Sequence, residues 1–226
     1  MKLSAPILLT GSALLLCACG GASGPVDFNF AQTGPLTTAE LNSFSSALIE
    51  SDSEFENAGP RSAGELVQRG SATYNGYAFA EVVETSDAIF GRTEIRALFS
   101  DGGTVDGEIT DFALYDQTEV NQDPNSDALL TSNATPTQID GALTLSGGAV
   151  SSVTQDGQSI GQISMNVSGS VTLPASESLT NAEEDFDVTG NIQARVTDND
   201  FLAGFGFLDA DSAESSLTLD TFILAQ

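Results

Sequence analysis

The sequence predicts an all-β protein, an eight-stranded antiparallel up-and-down barrel preceded by a short N-terminal helix. Apolar and polar residues alternate strictly along 163–173 and 186–196, which is the period of a strand with one buried and one solvated face. Short polar turns such as Asp101-Gly102-Gly103 separate the alternating runs, as in β-hairpins. Eight strands joined in this way are enough for a sheet to close on itself. A sandwich of two sheets is the alternative architecture.

The first 18 residues have the order of a secretory signal peptide. One cation, Lys2, precedes an apolar stretch from Ala5 to Leu16, which is shorter than the roughly 20 residues that span a bilayer. The following Leu16-Cys17-Ala18-Cys19 resembles a lipobox, the bacterial signal at which a cysteine receives diacylglycerol before cleavage. We therefore predict that residues 1–18 are a lipoprotein signal peptide and that Cys19 is lipidated. Cleavage nearby without lipidation is the alternative.

The next segment, 19–35, is predicted to be a flexible tether because it begins with a run of small residues that cannot pack a core. Gly20, and not Asp, follows the lipidated cysteine. By resemblance to lipoprotein sorting in Gram-negative bacteria, this favours a lipid anchor in the outer membrane, on its periplasmic or its surface face.

Residues 36–70 are predicted to form one helix, over 36–52, and a linker with a turn of helix at 65–69. Thr37 and Glu40 have the spacing of a capping box. Apolar residues then recur on one helical face, at Leu41, Phe44, Leu48 and Ile49. This face would pack on the barrel, as a plug or lid, or else bind a partner.

The barrel domain is assigned to residues 71–226. Its strands are predicted over 72–83, 88–100, 103–116, 139–147, 159–173, 186–197, 201–210 and 215–225. Their apolar faces are expected inside the barrel. The opposite orientation, which would suit a membrane, would enclose many unpaired carboxylates, and burying unpaired charge is very costly.

Composition excludes several classes of function. The net charge is −26, with 32 acidic residues against six basic ones, so nucleic acid is not an expected partner. No histidine is present, which removes the common Ser-His and Cys-His nucleophile systems and the general base used most often. No pair of acids stands in a recognisable catalytic motif. We therefore expect no enzyme activity, no cofactor and no metal.

Two stretches resemble the barrel domain of transferrin-binding protein B and related bacterial surface lipoproteins. They are the Tyr-x-Gly segment 70–77 and the segment 97–112, in which a Gly turn precedes a Gly-x-Ile strand. The resemblance implies a lipid-tethered, eight-stranded barrel that presents loops to a protein or small ligand. The family's late Phe-Tyr-Gly-Pro motif and its handle domain are missing, so transferrin binding is not implied.

Two long connections are the candidate binding loops, because loops on a rigid barrel are usual places for recognition. The first, 117–138, carries Asp123, Asn125 and Asp127, and the second, 175–185, carries Glu183 and Glu184. Calcium, which binds oxygen ligands, would suit two sets of residues. One is Asp123, Asn125 and Asp127, and the other is Asp198, Asn199, Asp200, Asp209 and Asp211. Neither set has a complete ligand loop, and we expect solvated turns.

Four phenylalanines, Phe186, Phe201, Phe205 and Phe207, are expected on the dry face of their strands. A barrel of eight strands either fills with side chains or holds one small ligand. Filling is the expected outcome. The predicted function is a lipid-anchored binding module for a protein or small ligand, with a structural envelope lipoprotein that has no dedicated ligand as the alternative.

Overall fold

The computed structural model describes residues 35–43, 59–100, 102–121, 128–155, 157–175 and 182–226, which form two short helices and eight strands. Helix α1 spans residues 38–43 and helix α2 spans Ala63–Arg69. The strands are β1 Ser71–Val82, β2 Ala88–Leu98, β3 Thr104–Tyr115, β4 Thr137–Gln155, β5 Gln158–Leu173, β6 Glu184–Val196, β7 Leu202–Asp211 and β8 Ser216–Ala225. None of the helices in these ranges has the length and apolarity needed to cross a bilayer.

Each strand pairs antiparallel with the next one along the chain, and β8 pairs with β1. This last ladder runs from the pair Gly76 and Ala225 to the pair Val82 and Leu219. The eight-stranded up-and-down barrel is therefore confirmed, and the sandwich is wrong. Closure removes the exposed edges that an open sheet would leave.

The strand β4 is twice as long as its predicted range of 139–147. The predicted strand ended at Gly147, which a second glycine, Gly148, follows. Both glycines have positive φ angles, but they form a β-bulge, and the strand continues through Ala149 to Gln155. The other strand limits differ from their predictions by at most two residues.

The barrel interior is filled by side chains. The alternating apolar residues of all eight strands form one buried cluster, which includes Phe112, Met165 and Phe186. The cavity left between them measures about 30 Å³ and is lined by apolar side chains and Thr221. This space is about that of one water molecule and lacks the several polar partners that a buried water needs. The expected filled core is confirmed for the described residues.

Helix α2 closes one end of the barrel. Its Leu66 is fully buried in the core cluster, and the helix begins at a complete capping box made by Ser62 and Glu65. It can approach β5 closely because residue 161 is glycine, whose Cβ would lie 2.7 Å from Leu66 Cδ1. The turn of helix predicted at 65–69 is thus confirmed and begins two residues earlier.

Helix α1 packs on the outside of the barrel wall, not in its mouth. Leu36 and Leu41 are fully buried against Tyr77, Phe90 and Tyr115, which point outward from β1, β2 and β3. The expected packing of the helix on the domain is therefore confirmed at Leu41. The predicted positions Phe44, Leu48 and Ile49 lie outside the described residues.

A buried ion pair holds α1 against the wall. Thr37 caps the helix by accepting a hydrogen bond from the Glu40 amide at 3.2 Å, as predicted. The Glu40 carboxylate does not return that bond to residue 37. It accepts two hydrogen bonds from Arg92 and one from the Tyr77 hydroxyl, all at 2.7 Å. Burial and this hydrogen bond to the carboxylate raise the pKa of Tyr77.

We predict that Glu40→Ala lowers the free energy of unfolding by about 3 kcal/mol, because it removes the carboxylate that accepts hydrogen bonds from the Arg92 guanidinium and the Tyr77 hydroxyl in a largely buried place. The side chains of Arg92 and Glu40 are only 12% and 8% exposed. The matched control is Glu94→Ala, which breaks the exposed ion pair with Arg96 and should cost less than about 1 kcal/mol. Equal losses in urea unfolding of the two variants would contradict the assignment.

A second prediction concerns Tyr74, which is 1% exposed and whose hydroxyl has no hydrogen-bond partner within the described part of the chain. Burial, opposed by the nearby Arg69, raises its pKa from 10.0 to about 12. The stability linked to the neutral phenol is therefore complete below pH 10 and is lost as the pH rises towards 12.

Tyr74→Phe should leave stability at neutral pH within about 1 kcal/mol of the parent, because no hydrogen bond is lost. Above pH 10 the free energy of unfolding of the variant should rise relative to that of the parent by up to about 2–3 kcal/mol. Urea unfolding of both proteins across this pH range checks the difference. A constant difference at all pH values would contradict the prediction.

Candidate interaction surface on the barrel wall

The outer wall of β1, β8 and β7 carries two parallel rows of side chains. In the first row, Phe79 lies opposite Phe222, which lies opposite Phe205. In the second row, two residues along each strand, Glu81 lies opposite Asp220, which lies opposite Phe207. We call the four aromatic residues Phe79, Phe205, Phe207 and Phe222 the phenylalanine face.

This face is open to solvent on the β7 side. Phe205 is 41% exposed and Phe207 is 57% exposed, and their rings meet edge to face with centroids 5.3 Å apart. Phe79 and Phe222 are half-buried. Adjacent exposed aromatic side chains of this kind are typical of interaction sites, because single exposed apolar residues are common but contiguous patches are not.

The exposed position of Phe205 and Phe207 corrects the expectation that both line the interior. In β7 the inward positions are Leu202, Gly204, Gly206, Leu208 and Ala210. The outward positions alternate with these, so the two phenylalanines share a face with Asp209 and Asp211. The carboxylates at those positions were the signal that could have identified the outward face.

Phe186 and Phe201, which were also expected in the interior, lie on opposite sides of the barrel wall. Phe186 is fully buried in the barrel core, as expected. Phe201 is buried outside the barrel, in a small cluster with Ala203 and Leu224 that also contacts Phe222. This cluster borders the phenylalanine face at the end of the barrel closed by α2.

On its other side the face continues into the surface that α1 covers. The rings of Phe79 and Phe90 lie 5.1 Å apart between centroids, and those of Phe90 and Tyr115 lie 5.6 Å apart. Helix α1 and the segment containing Leu130 bury Phe90 and Tyr115. One aromatic band therefore crosses the wall, covered over β2 and β3 and uncovered over β8 and β7.

The acidic pair beside this face, Glu81 and Asp220, has no cationic partner among the described residues. Burial, and secondly the negative charge of Glu81, raise the pKa of Asp220. Neither residue takes part in an ion pair between described residues, and every arginine side chain in the sequence contacts other groups. Arg61 and Arg69 contact Asp200, Arg92 contacts Glu40 and Asp111, Arg96 contacts Glu94, and Arg195 contacts Gln155.

The opposite wall is polar. Outward side chains of β5 and β6 form a hydrogen-bonded network in which Asn191 contacts Ser164 and Asn166, and Gln193 contacts Ser164. Among the described residues, the exposed phenylalanine pair therefore lies on one side of the barrel, and an interaction through it would have a defined direction.

Of the predicted loop residues, Asp123, Asn125 and Asp127 lie outside the described residues. Glu183 is exposed. Glu184 begins β6, and its carboxylate accepts hydrogen bonds from the hydroxyls of Ser212 and Ser215 and from an amide of the β7–β8 turn. The bond from Ser212 lowers the pKa of Glu184. The Glu184 carboxylate therefore stabilises the β7–β8 turn.

The oxygen-rich set of Asp198, Asn199, Asp200, Asp209 and Asp211 is not brought together. The first three lie in the turn between β6 and β7, where Arg61 and Arg69 contact Asp200. The other two lie near the opposite end of β7. Within the described ranges no group of three or more potential ligand side chains could hold a metal ion.

A shallow depression of about 420 Å³ lies over the ends of β1, β2 and β3. The side chains of Ser71, Arg96, Leu98 and Asp106 on its border are exposed. Because it lacks the enclosed apolar lining typical of ligand pockets, we place the candidate site on the phenylalanine face.

No family model, curated protein or solved structure matches the chain. The resemblance of segments 70–77 and 97–112 to transferrin-binding protein B therefore stays a prediction.

We predict that the double variant Phe205→Ser/Phe207→Ser folds with an unfolding free energy within about 1 kcal/mol of the parent, because both rings are exposed. It should lose about half or more of the fluorescence of a neutral apolar dye such as Nile red. Leu98→Ser, which removes an apolar side chain 45% exposed on another part of the wall, is the control. Equal dye losses in both would contradict the assignment.

Proposed function

We propose that this protein is an outer-membrane lipoprotein, anchored through lipid on Cys19, whose barrel is a binding module. The module presents its loops and outer wall to a protein or small ligand. It is not an enzyme, and nucleic acid is not among its partners.

The filled interior is the observation that carries this proposal. With a cavity of about 30 Å³ between the described core residues, recognition by the native barrel takes place at its surface. The surface offers a one-sided apolar face and the connections 117–138 and 175–185. A rigid scaffold that carries binding residues on its connections is a usual arrangement for binding proteins.

The sequence supports the anchor independently of the barrel. The ordered signal features and Leu16-Cys17-Ala18-Cys19 favour lipidation, and the run of small residues after Cys19 favours a tether. The excess of acidic residues opposes adsorption to anionic lipid headgroups. Covalent lipid would therefore hold the domain at the membrane, because the two acyl chains of a diacylglyceryl group anchor stably where a single chain binds only marginally.

Metabolic labelling with a fatty-acid probe tests the anchor. The native chain should incorporate the label and fractionate with outer membranes, whereas Cys19→Ala should lose the label. Cys17→Ala is the matched control, because a small residue at this position preserves the lipobox and labelling should persist. Label retained in Cys19→Ala would overturn the proposal.

A further inference from the structure

We infer that the phenylalanine face and the adjacent acidic pair Glu81 and Asp220 form a docking site for a partner protein segment that presents apolar side chains beside lysine or arginine. The inference deepens the proposed function and rests on it in taking the barrel to be a binding module. It moves the main contact from the predicted loops to the wall of β1, β8 and β7.

The apolar half of the site comes from the uncovered part of the aromatic band. Over β2 and β3, Leu36, Leu41 and Leu130 bury the outward aromatic rings. Over β7, Phe205 and Phe207 are exposed by 41% and 57%. The covered half shows that leucine side chains pack well on this kind of surface. A partner with similar side chains would extend that packing.

The charged half of the site determines which sign of charge the partner must carry. Glu81 and Asp220 lie directly opposite each other across two strands, an arrangement that is unfavourable for like charges. Both are partly buried, and the five arginines contact other groups. A lysine or arginine from a partner would relieve the repulsion and could also contact the faces of the neighbouring rings.

The same charges disfavour two other occupants. A second copy of this chain, with 32 acids and six bases in its sequence, would bring two acidic pairs together at a symmetric contact. A bilayer with anionic headgroups would be repelled by Glu81 and Asp220. A basic and apolar protein segment satisfies both parts of the surface.

The test uses the full chain with Cys19→Ala, so that no lipid is attached, and three dye-labelled helical peptides of equal length. One is made of leucine and lysine, one of leucine and glutamate, and one of serine and lysine. Fluorescence anisotropy should show binding of the leucine-lysine peptide and at least about tenfold weaker binding of the other two.

Two double variants assign that binding to the site. Phe205→Ser/Phe207→Ser should weaken it by about tenfold or more, because exposed aromatic residues of an interface contribute much of its affinity. Glu81→Gln/Asp220→Asn should weaken it by a similar factor and reduce its dependence on salt. Thermal unfolding of each variant verifies that the barrel remains folded.

Matched controls separate the site from general attraction to an acidic protein. Asp187→Asn/Asp211→Asn removes another directly opposed acidic pair, which lies on the β6–β7 wall and is exposed. Leu98→Ser removes an exposed apolar residue elsewhere. Both should bind the peptide within about twofold of the parent. Equal effects of control and site variants would overturn the inference.

Two further outcomes would also overturn it. The first is dimerisation in analytical ultracentrifugation that Phe205→Ser/Phe207→Ser abolishes, without peptide binding, which would identify a second copy as the occupant. The second is binding to phosphatidylethanolamine-phosphatidylglycerol vesicles that depends on the same two residues, again without peptide binding. Because the assay lacks the lipid anchor, its failure leaves the labelling result at Cys19 unaffected.

Discussion

The pairing of β1 with β8 is the constraint on which the rest of the structure depends. The seam passes through Gly76, where a Cβ atom would lie 2.0 Å from the carbonyl oxygen of Leu224, so a side chain there would push the strands apart. A slip of one residue would exchange the inner and outer faces of a strand. Closure in this register therefore places Phe79, Phe222 and Phe205 together on the outside.

The closed register also determines where function can lie. Since the inner positions fill the barrel, the chemistry available to a partner is on the wall and in the connections. The arginines have structural contacts there: Arg92 holds α1, while Arg61 and Arg69 hold the β6–β7 turn near α2. Because these arginines pair with other groups, the acidic residues beside the phenylalanine face have no counter-charges from the described residues.

The strands could be predicted from the sequence because period-two alternation is a local property of each strand. Two features were not predictable in the same way. The glycines at 147 and 148 have the composition of a turn, and only the continued pairing with β5 shows that they form a bulge. The partner of Glu40 is Arg92, 52 residues away, which local capping rules could not identify.

The outward face of β7 could in part be predicted from the sequence. The apolarity of Phe205 and Phe207 in β7 favours an interior position. Both nevertheless alternate with Leu202 and Leu208, and they point to the same side of the strand as Asp209. The charged residues of β7 indicate better than its apolar residues which alternate positions point outward, since burying an unpaired carboxylate costs more than exposing a phenylalanine. The phenylalanine face is thus a departure from simple burial, as expected where a surface serves another purpose.

The barrel is closed and filled, and Phe205 and Phe207 lie on its outside. The most direct measurement is ¹⁹F NMR of the chain labelled with fluorophenylalanine, assigned by single substitutions, with a soluble paramagnetic probe. We expect strong relaxation enhancement at Phe205 and Phe207 and little at the buried Phe112 and Phe186. Protected signals from Phe205 and Phe207, with enhancement at Phe186, would contradict it.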